Sequence, residues 1–382
     1  MGLLNCLLDN RHWPKRVLGI SKLSAFEFLK TTHSDLSNNQ LLSRLRKQNI
    51  DPDEILAEHH RQLACEKELA RILRNLDVSY RIMKRIGDAS KCVDWADLVI
   101  AIGGDGTFLS ASKLITSNKT PIFGINPHPG TSNTFTLAID HSADIERIFE
   151  KLRTGDYVVL MRSRIRTVMT GEGLYRQPFH VHEKSRIQGE KRIDALMRST
   201  QRKIADALQP RRRILPWLAL NEVFMAEFLA SRPIMMTIQA DDEEKFVIRS
   251  SGICVCTGSG SRSWFRTMNL QTAETVQTLA AMATGRQLDE KETCKVLHKY
   301  HSNLLFPPEN LKMAYMIYEM SRSSLWPKLI SDRRICCRIK VKSMGFDAGL
   351  VLDGSVSLPF NDGSTASFEI RPEYSLKNII LR

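Results

Sequence analysis

The sequence predicts two domains of different class: an N-terminal α/β domain built on a Rossmann-like parallel sheet, and a C-terminal β-sandwich domain interrupted by helical insertions. Three observations predict this. Apolar runs alternate with helical patterns through the first third of the chain, the periodicity changes to two from about Arg162 onward, and a glycine turn, GGDGT at 103–107, joins a buried strand to a helix. The expected boundaries are 1–160 for the first domain, 161–363 for the second, and 364–382 for a C-terminal segment that packs back on the first.

In order along the chain, VLGISK (17–22) is a short apolar strand. Residues 31–58, rich in Ser, Asn and Asp, read as a polar excursion holding one helix at 41–47. HRQLACEKELARILRNL then puts Leu69, Ile72, Leu73 and Leu76 on one helical face. VSYRIMK, LVIAI and PIFGIN follow as strands, with a helix over 107–115 between the last two, which implies a parallel sheet covered by helices. In the second domain PIMMTIQADDEEKFVIRSSGICVCTG reads as two strands joined at an acidic turn over 241–244. CRIKVK alternates Cys337, Ile339 and Val341 with Arg338, Lys340 and Lys342, the pattern of a half-buried strand. The two helical insertions fall near 183–213 and 272–330, the second with a helical pattern from about 272 to 318.

A hydrophobic fraction of 42% with 25% charged residues is globular composition, and even LVIAI is cut at once by Gly103, so no membrane span is predicted. Eight cysteines without a CxxC pair read as reduced thiols rather than a metal site or disulfide framework. The net charge of +13 invites a nucleic-acid partner, but about half of it lies in 183–213, where ten Lys or Arg face four acids and no aromatic residue is present to stack on bases. A solvated basic helical face is expected there, with no nucleic-acid partner, and the basic field favours phosphorylated substrates.

The chemistry centres on GGDGT. A glycine turn leading from a parallel strand into a helix presents free backbone N–H groups and the positive end of the helix dipole to phosphate oxygens. A carboxylate there is repelled by phosphate unless it has a task. Asp105 can hold Mg²⁺ on the phosphates, or accept the proton of a hydroxyl attacking a phosphoryl group; the structural alternative is an ordinary Gly-Asp-Gly turn. The segment is neither a Walker loop nor a dinucleotide fingerprint.

GGDGT after a buried strand resembles the phosphate-binding signature shared by NAD kinases, diacylglycerol and sphingosine kinases and, with Ser for Thr, phosphofructokinases. Three further motifs separate these groups. LALNEVFMAE, with Asn221 and Glu222, is similar to the Asn-Glu pair of NAD kinases. SSGICVCTGSGSRSW resembles their glycine- and serine-rich strand and loop, and LDGS supplies Asp353 and Gly354. Four motifs in order along most of the chain identify it as resembling the NAD kinase family. VLGISKLSAFEFLK, the missing proline in CTGSGS and Trp264 in place of a tyrosine resemble the mitochondrial members of animals.

The resemblance implies transfer of the γ-phosphoryl of ATP to the 2′-hydroxyl of the adenosine ribose of NAD. ATP would be carried with Mg²⁺, no metal site follows from a motif of its own, and Asp105 would be the catalytic residue. The implied NAD and ATP contacts are Gly103, Gly104, Gly106, Thr107, Asn221, Glu222, Ser261, Arg262, Ser263, Trp264 and Asp353. An Asn-Glu pair is a mixed donor and acceptor set suited to a base edge and ribose hydroxyls. Trp264 offers a flat face for stacking or a core side chain, and His128, in a proline-flanked loop, reads as a loop residue rather than a catalyst. Three departures stand out: Ser251 where most members carry an aspartate, Arg262 for a threonine, and PHPGTSNTF for the usual Gly-His-Leu-Gly-Phe run. A lipid kinase of the same superfamily, needing an apolar channel, and an inactive nucleotide-binding relative are the alternatives. The resemblance also implies a homodimer and the mitochondrial matrix; MGLLNCLLDNRHWPKR is short and only weakly amphipathic as a presequence, which leaves a cytosolic form open.

Overall fold

The computed structural model describes residues 13–84, 89–128, 139–140, 144–172, 174–175, 179–180, 208–321 and 331–381. They fall into two compact units, Met1–Met161 with Leu376–Arg382, and Arg162–Ser375.

The first unit is built on strands β1 (Arg16–Ser21), β2 (Ser79–Met83), β3 (Leu98–Ile102), β4 (Ile122–Ile125), β5 (Ile139–Asp140), β6 (Tyr157–Arg162) and the last strand of the chain, β20 (Leu376–Leu381). Their order is β2-β1-β3-β4-β20-β6, with β5 also beside β4. β1 pairs parallel with β2 and β3, and β4 pairs parallel with β3, β5 and β20. All five residues of β3 are buried, which is why LVIAI shows no alternation. Leu69, Ile72 and Leu73 of helix α3 (Pro52–Asn75) pack in one core with Val17, Ile100 and Ile102. Leu76, expected on that face, caps the helix and is exposed.

The stretch 31–58 is more helical than its polarity suggests. It holds the expected helix, α2 (Asn38–Lys47), and the start of α3, while a helix not expected, α1 (Ala25–Thr32), ends at its edge; α1 and α2 are each opened by a capping box, Ser24 with Glu27 and Ser37 with Gln40. Helix α4 (Asp105–Ser112) begins at the aspartate, two residues earlier than expected, and α5 (Ile145–Thr154) ends on left-handed Gly155.

The second unit is two antiparallel sheets sharing one core. It contains β7 (Ile165–Thr170), β8 (Phe179–His180), β9 (Arg212–Ile214), β10 (Glu222–Glu227), β11 (Ile234–Ala240), β12 (Phe246–Ser250) and β13 (Gly252–Cys256). After these come β14 (Met313–Tyr318), β15 (Arg333–Cys336), β16 (Arg338–Ser343), β17 (Ala348–Leu352), β18 (Val356–Pro359) and β19 (Thr365–Ile370). The sheet orders are β15-β14-β13-β10-β17-β18-β8 and β12-β11-β16-β19-β7-β9. Ile253 and Val255 of β13 point into the shared core. Cys254 and Cys256 point to the other face and meet Phe265 of α6 (Trp264–Asn269) and Leu304, which follows α8 (Glu290–Asn303). α7 (Ala273–Thr284) lies between those two helices in sequence.

Four expectations change. The two strands expected over 233–258 are three, because the chain leaves one sheet after Ser250 and enters the other at Gly252. Among the described residues of the second insertion only α7 and α8 are helical; Met313–Tyr318 is β14, paired with β13. The return to the first unit begins at Leu376 rather than 364, because β19 pairs antiparallel with β7 and β16. The basic insertion lies mostly outside the described residues, its end forming β9. The seven cysteines among the described residues are free, and no described helix is long and apolar enough to cross a membrane.

Candidate active site

In the first unit the glycine turn is set by its frame. Gly103 has φ 149°, and a Cβ there would fall 2.5 Å from Thr107 Oγ1, so only glycine fits. Its N–H donates to the Ile125 carbonyl at 2.8 Å, tying the end of β3 to the end of β4. From below, buried Gln62 of α3 donates Nε2 to the Ile102 carbonyl (3.0 Å) and to Ser21 Oγ (2.7 Å). Arg61 Nε donates to His128 Nδ1 (3.4 Å), which leaves the ring proton on Nε2 to be donated to Gln62 Oε1 (3.3 Å). Burial above all lowers the His128 pKa, the charges of Lys22 and Arg61 add to this, and Glu58 opposes it. His128 is therefore a neutral strut of the turn.

Asp105, half-buried, is the first residue of α4. Beside it Gly104 and Gly106 face open space, a Cβ at either meeting nothing within 4 Å. The backbone N–H groups of Asp105 and Gly106 are thus approachable by an anion over bare backbone, while those of Thr107 and Phe108 donate to the Gly104 carbonyl at 3.0 and 3.1 Å.

In the second unit Glu222 opens β10 and Asn221 immediately precedes it. The Asp353 carboxylate, in a left-handed turn with φ 42°, accepts the backbone N–H groups of Leu220 (3.0 Å), Asn221 (2.8 Å) and Glu222 (3.1 Å). Three charge-assisted bonds fix this corner. Asn221 is 3% exposed, and its Oδ1 has no hydrogen-bond partner among the described residues. A buried acceptor left so costs about 1–3 kcal/mol, which a ligand N–H or O–H would recover.

The TGSGS loop closes over the same corner. Thr257 donates its N–H to the Asn221 carbonyl (2.9 Å) and its hydroxyl to the Leu220 carbonyl (2.5 Å). A Cβ at Gly260 would lie 2.0 Å from the Asn221 carbonyl oxygen, and one at Gly258 1.9 Å from that of Pro307. These glycines serve packing rather than ligand approach.

Residues 44–157 match the family model described as the ATP-NAD kinase N-terminal domain. Along nearly the whole chain the protein is similar to NAD kinase 2, mitochondrial, of Rattus norvegicus, with 30% identity over 98% of this chain and 89% of the relative. The chain belongs to the NAD kinase family. The Homo sapiens protein of the same name is also 30% identical, over 98% of this chain and 86% of its own. In fold, the chain resembles the crystal structure of an NAD kinase from Archaeoglobus fulgidus in complex with ATP, at a TM-score of 0.50 and 15% identity, over 96% of this chain and 93% of that one.

Among the residues expected to touch nucleotide, two make hydrogen bonds within the chain. Asp353 is taken up by backbone amides and positions the Asn221–Glu222 corner. Ser261 is fully buried and donates its hydroxyl to the Gly258 carbonyl at 2.7 Å, holding the loop. Ser263 precedes α6 without a side-chain cap bond, and Arg262 is exposed. Trp264 is 47% exposed and meets Phe224 edge-on at 4.5 Å, which leaves a ring face accessible. Ser251 lies at the opposite end of β13 from the loop. Its hydroxyl donates to Glu319 at 2.6 Å, so a carboxylate stands beside the position where the resemblance implies an aspartate.

Sequence reasoning missed Gln62, Thr257 and Arg164. Arg164 is fully buried and donates to the Tyr374 carbonyl at 2.6 Å; burial lowers its pKa and the charge of Asp353 opposes that. The only signal for it was an arginine in an otherwise alternating strand start. No group of three or more His, Cys, Asp and Glu among the described residues could hold a metal ion.

Proposed function

We infer that the protein transfers the γ-phosphoryl of ATP to the 2′-hydroxyl of the adenosine ribose of NAD, giving NADP and ADP. The observation that carries this reading is the Asn221 amide oxygen, buried without a partner among the described residues on a corner fixed by Asp353. It calls for a polar donor such as a base amino group or ribose hydroxyl; the lipid chain of the alternative acceptors offers none.

In this reading the open turn of Gly104, Gly106 and Thr107 takes phosphate oxygens of the donor. Asp105 accepts the proton of the 2′-hydroxyl as its oxygen bonds to the γ-phosphorus and the bond to the β-phosphate oxygen breaks. Asn221 and Glu222 bind NAD, Trp264 stacks on a ring, and Arg262 adds a charge for phosphate. Mg²⁺ bound with ATP would supply charge to offset that developing on the phosphates. With Asp105 taken as the base and no clustered ligands among the described residues, the metal would be carried by the phosphates of ATP rather than held by a protein site. We also propose a homodimer, on the family resemblance, and a mitochondrial location, on the names of the rat and human relatives; light scattering of the purified chain and imaging of a fluorescent fusion test these.

The activity test is incubation with Mg-ATP and either NAD or a lipid alcohol, with NADP detected through an NADP-dependent dehydrogenase. NADP accumulating only with NAD supports the reading. Phosphate appearing on the lipid and not on NAD overturns it.

A further inference from the structure

The glycine turn lies at the carboxyl end of β3. At the amino ends of the same strands, roughly 17 Å away by the length of a five-residue strand, the first unit holds a separate cavity of about 1180 Å³. That is somewhat above the roughly 300–1,000 Å³ usual for a small-molecule site, so a ligand of that size fits. Arg16 and Leu98, the first residues of β1 and β3, line it, with Pro121 just before β4 and Lys377 in β20.

Its charge is one-sided. Lys15, Arg16, Lys119, Arg153 and Lys377 face the cavity from four separate segments, and Asp97 is the only acid in its wall among the described residues. Asp97 is already committed: it holds the Arg16 guanidinium at 2.8 Å and accepts the backbone N–H groups of Lys15 (3.2 Å) and Arg16 (3.1 Å). Four cations remain, none with an ion pair among the described residues. Arg153 has a structural reason to be there, since it lies in the last turn of α5 and complements the helix dipole. Lys15, Lys119 and Lys377 lie on no helix. Gathering like charges around a concave wall raises the local potential and concentrates anions. Trp13, held edge-on to Phe149 at 6.2 Å, and Tyr157, whose pKa burial raises, add two rings to the wall.

We propose that this cavity is a second ligand site, distinct from the phosphoryl-transfer site, for an aromatic polyanion: a flat ring carrying two or more negative charges. The rings of Trp13 and Tyr157 would cover the ring of the ligand, and Lys15, Lys119 and Lys377 its charges.

The full chain is titrated with 8-methoxypyrene-1,3,6-trisulfonate, a fluorescent aromatic trianion, with NAD and ADP present at saturation. The expected result is one saturable site per chain that persists under those nucleotides and weakens with salt. In Lys119→Glu/Lys377→Glu the affinity falls about tenfold or more, from two attractions, one exposed and one half-buried, turned into repulsions. Lys340→Glu/Lys342→Glu makes the same change of net charge on β16 and leaves the affinity within about twofold. If the first pair unfolds the chain, judged by its melting curve, Lys119→Gln/Lys377→Gln replaces it, with an expected loss of about threefold. Displacement of the probe by NAD and ADP, or equal losses in the cavity and β16 variants, overturns the proposal.

Discussion

Two glycine-rich segments of this chain look alike in sequence and differ in what surrounds them. In GGDGT, Cβ atoms at Gly104 and Gly106 would meet nothing within 4 Å; in TGSGS, Cβ atoms at Gly258 and Gly260 would come within 1.9 and 2.0 Å of backbone carbonyl oxygens. The first keeps space beside a helix start for something outside the chain. The second lets the chain close on itself, so that Thr257 can reach the carbonyls of Leu220 and Asn221. Glycine content alone therefore does not mark a ligand-facing loop; the neighbour that the missing side chain would have met does.

The largest effect expected from this contrast is at the open turn. Asp105→Asn keeps the shape of the side chain and removes its ability to take a proton. Turnover should fall about 10²- to 10⁴-fold with the Michaelis constant for NAD within a few-fold and the melting temperature unchanged. Near-full turnover in steady-state assays would remove Asp105 from the chemistry.

The closed corner should respond in the opposite manner. Asp353→Ala leaves backbone donors of Leu220, Asn221 and Glu222 without their carboxylate, at roughly 1–3 kcal/mol for each that stays buried and unpaired. Both stability in urea and NAD binding should drop, because the frame of Asn221 loosens. A variant as stable as the parent, with only its ATP affinity reduced, would return Asp353 to the nucleotide contacts.

How much of this was legible follows the same division. The open turn could be read directly, since a buried run, two glycines and an aspartate are local signals. The corner could be located by Asn221 and Glu222, but not the duty of Asp353, which lies 132 residues from Asn221 and acts through main-chain bonds that no motif displays. β14 was absorbed into a helical insertion because MAYMIY is buried on both faces and loses the alternation that marks a strand. The break at Ser251 carried a Ser-Gly turn signal in RSSG that the apolar runs on both sides outweighed; it is a passage between sheets. Helix α2 is expected at 41–47 and its capping box in SNNQ starts it three residues earlier; for α1 the capping box in SAFE was a signal present in the sequence and not used.

The smallest effect concerns Arg262, exposed at the rim of the closed loop. Arg262→Thr should weaken nucleotide binding by about 0.2–1 kcal/mol at low ionic strength and by less at high salt, since an exposed charge contact is screened. Equal affinities for NAD and ATP across a salt series would leave Arg262 as a solvated side chain with no ligand.

The contrast itself is tested most directly by one crossed comparison, the turnover and urea stability of Gly104→Ala beside those of Gly260→Ala. The account predicts that Gly104→Ala folds within about 0.5 kcal/mol of the parent yet loses about tenfold or more in turnover, because its methyl enters the space kept for phosphate. Gly260→Ala should instead lose about 3 kcal/mol or more of stability, because its methyl overlaps the Asn221 backbone. A fully active Gly104→Ala together with a Gly260→Ala of parental stability would contradict it.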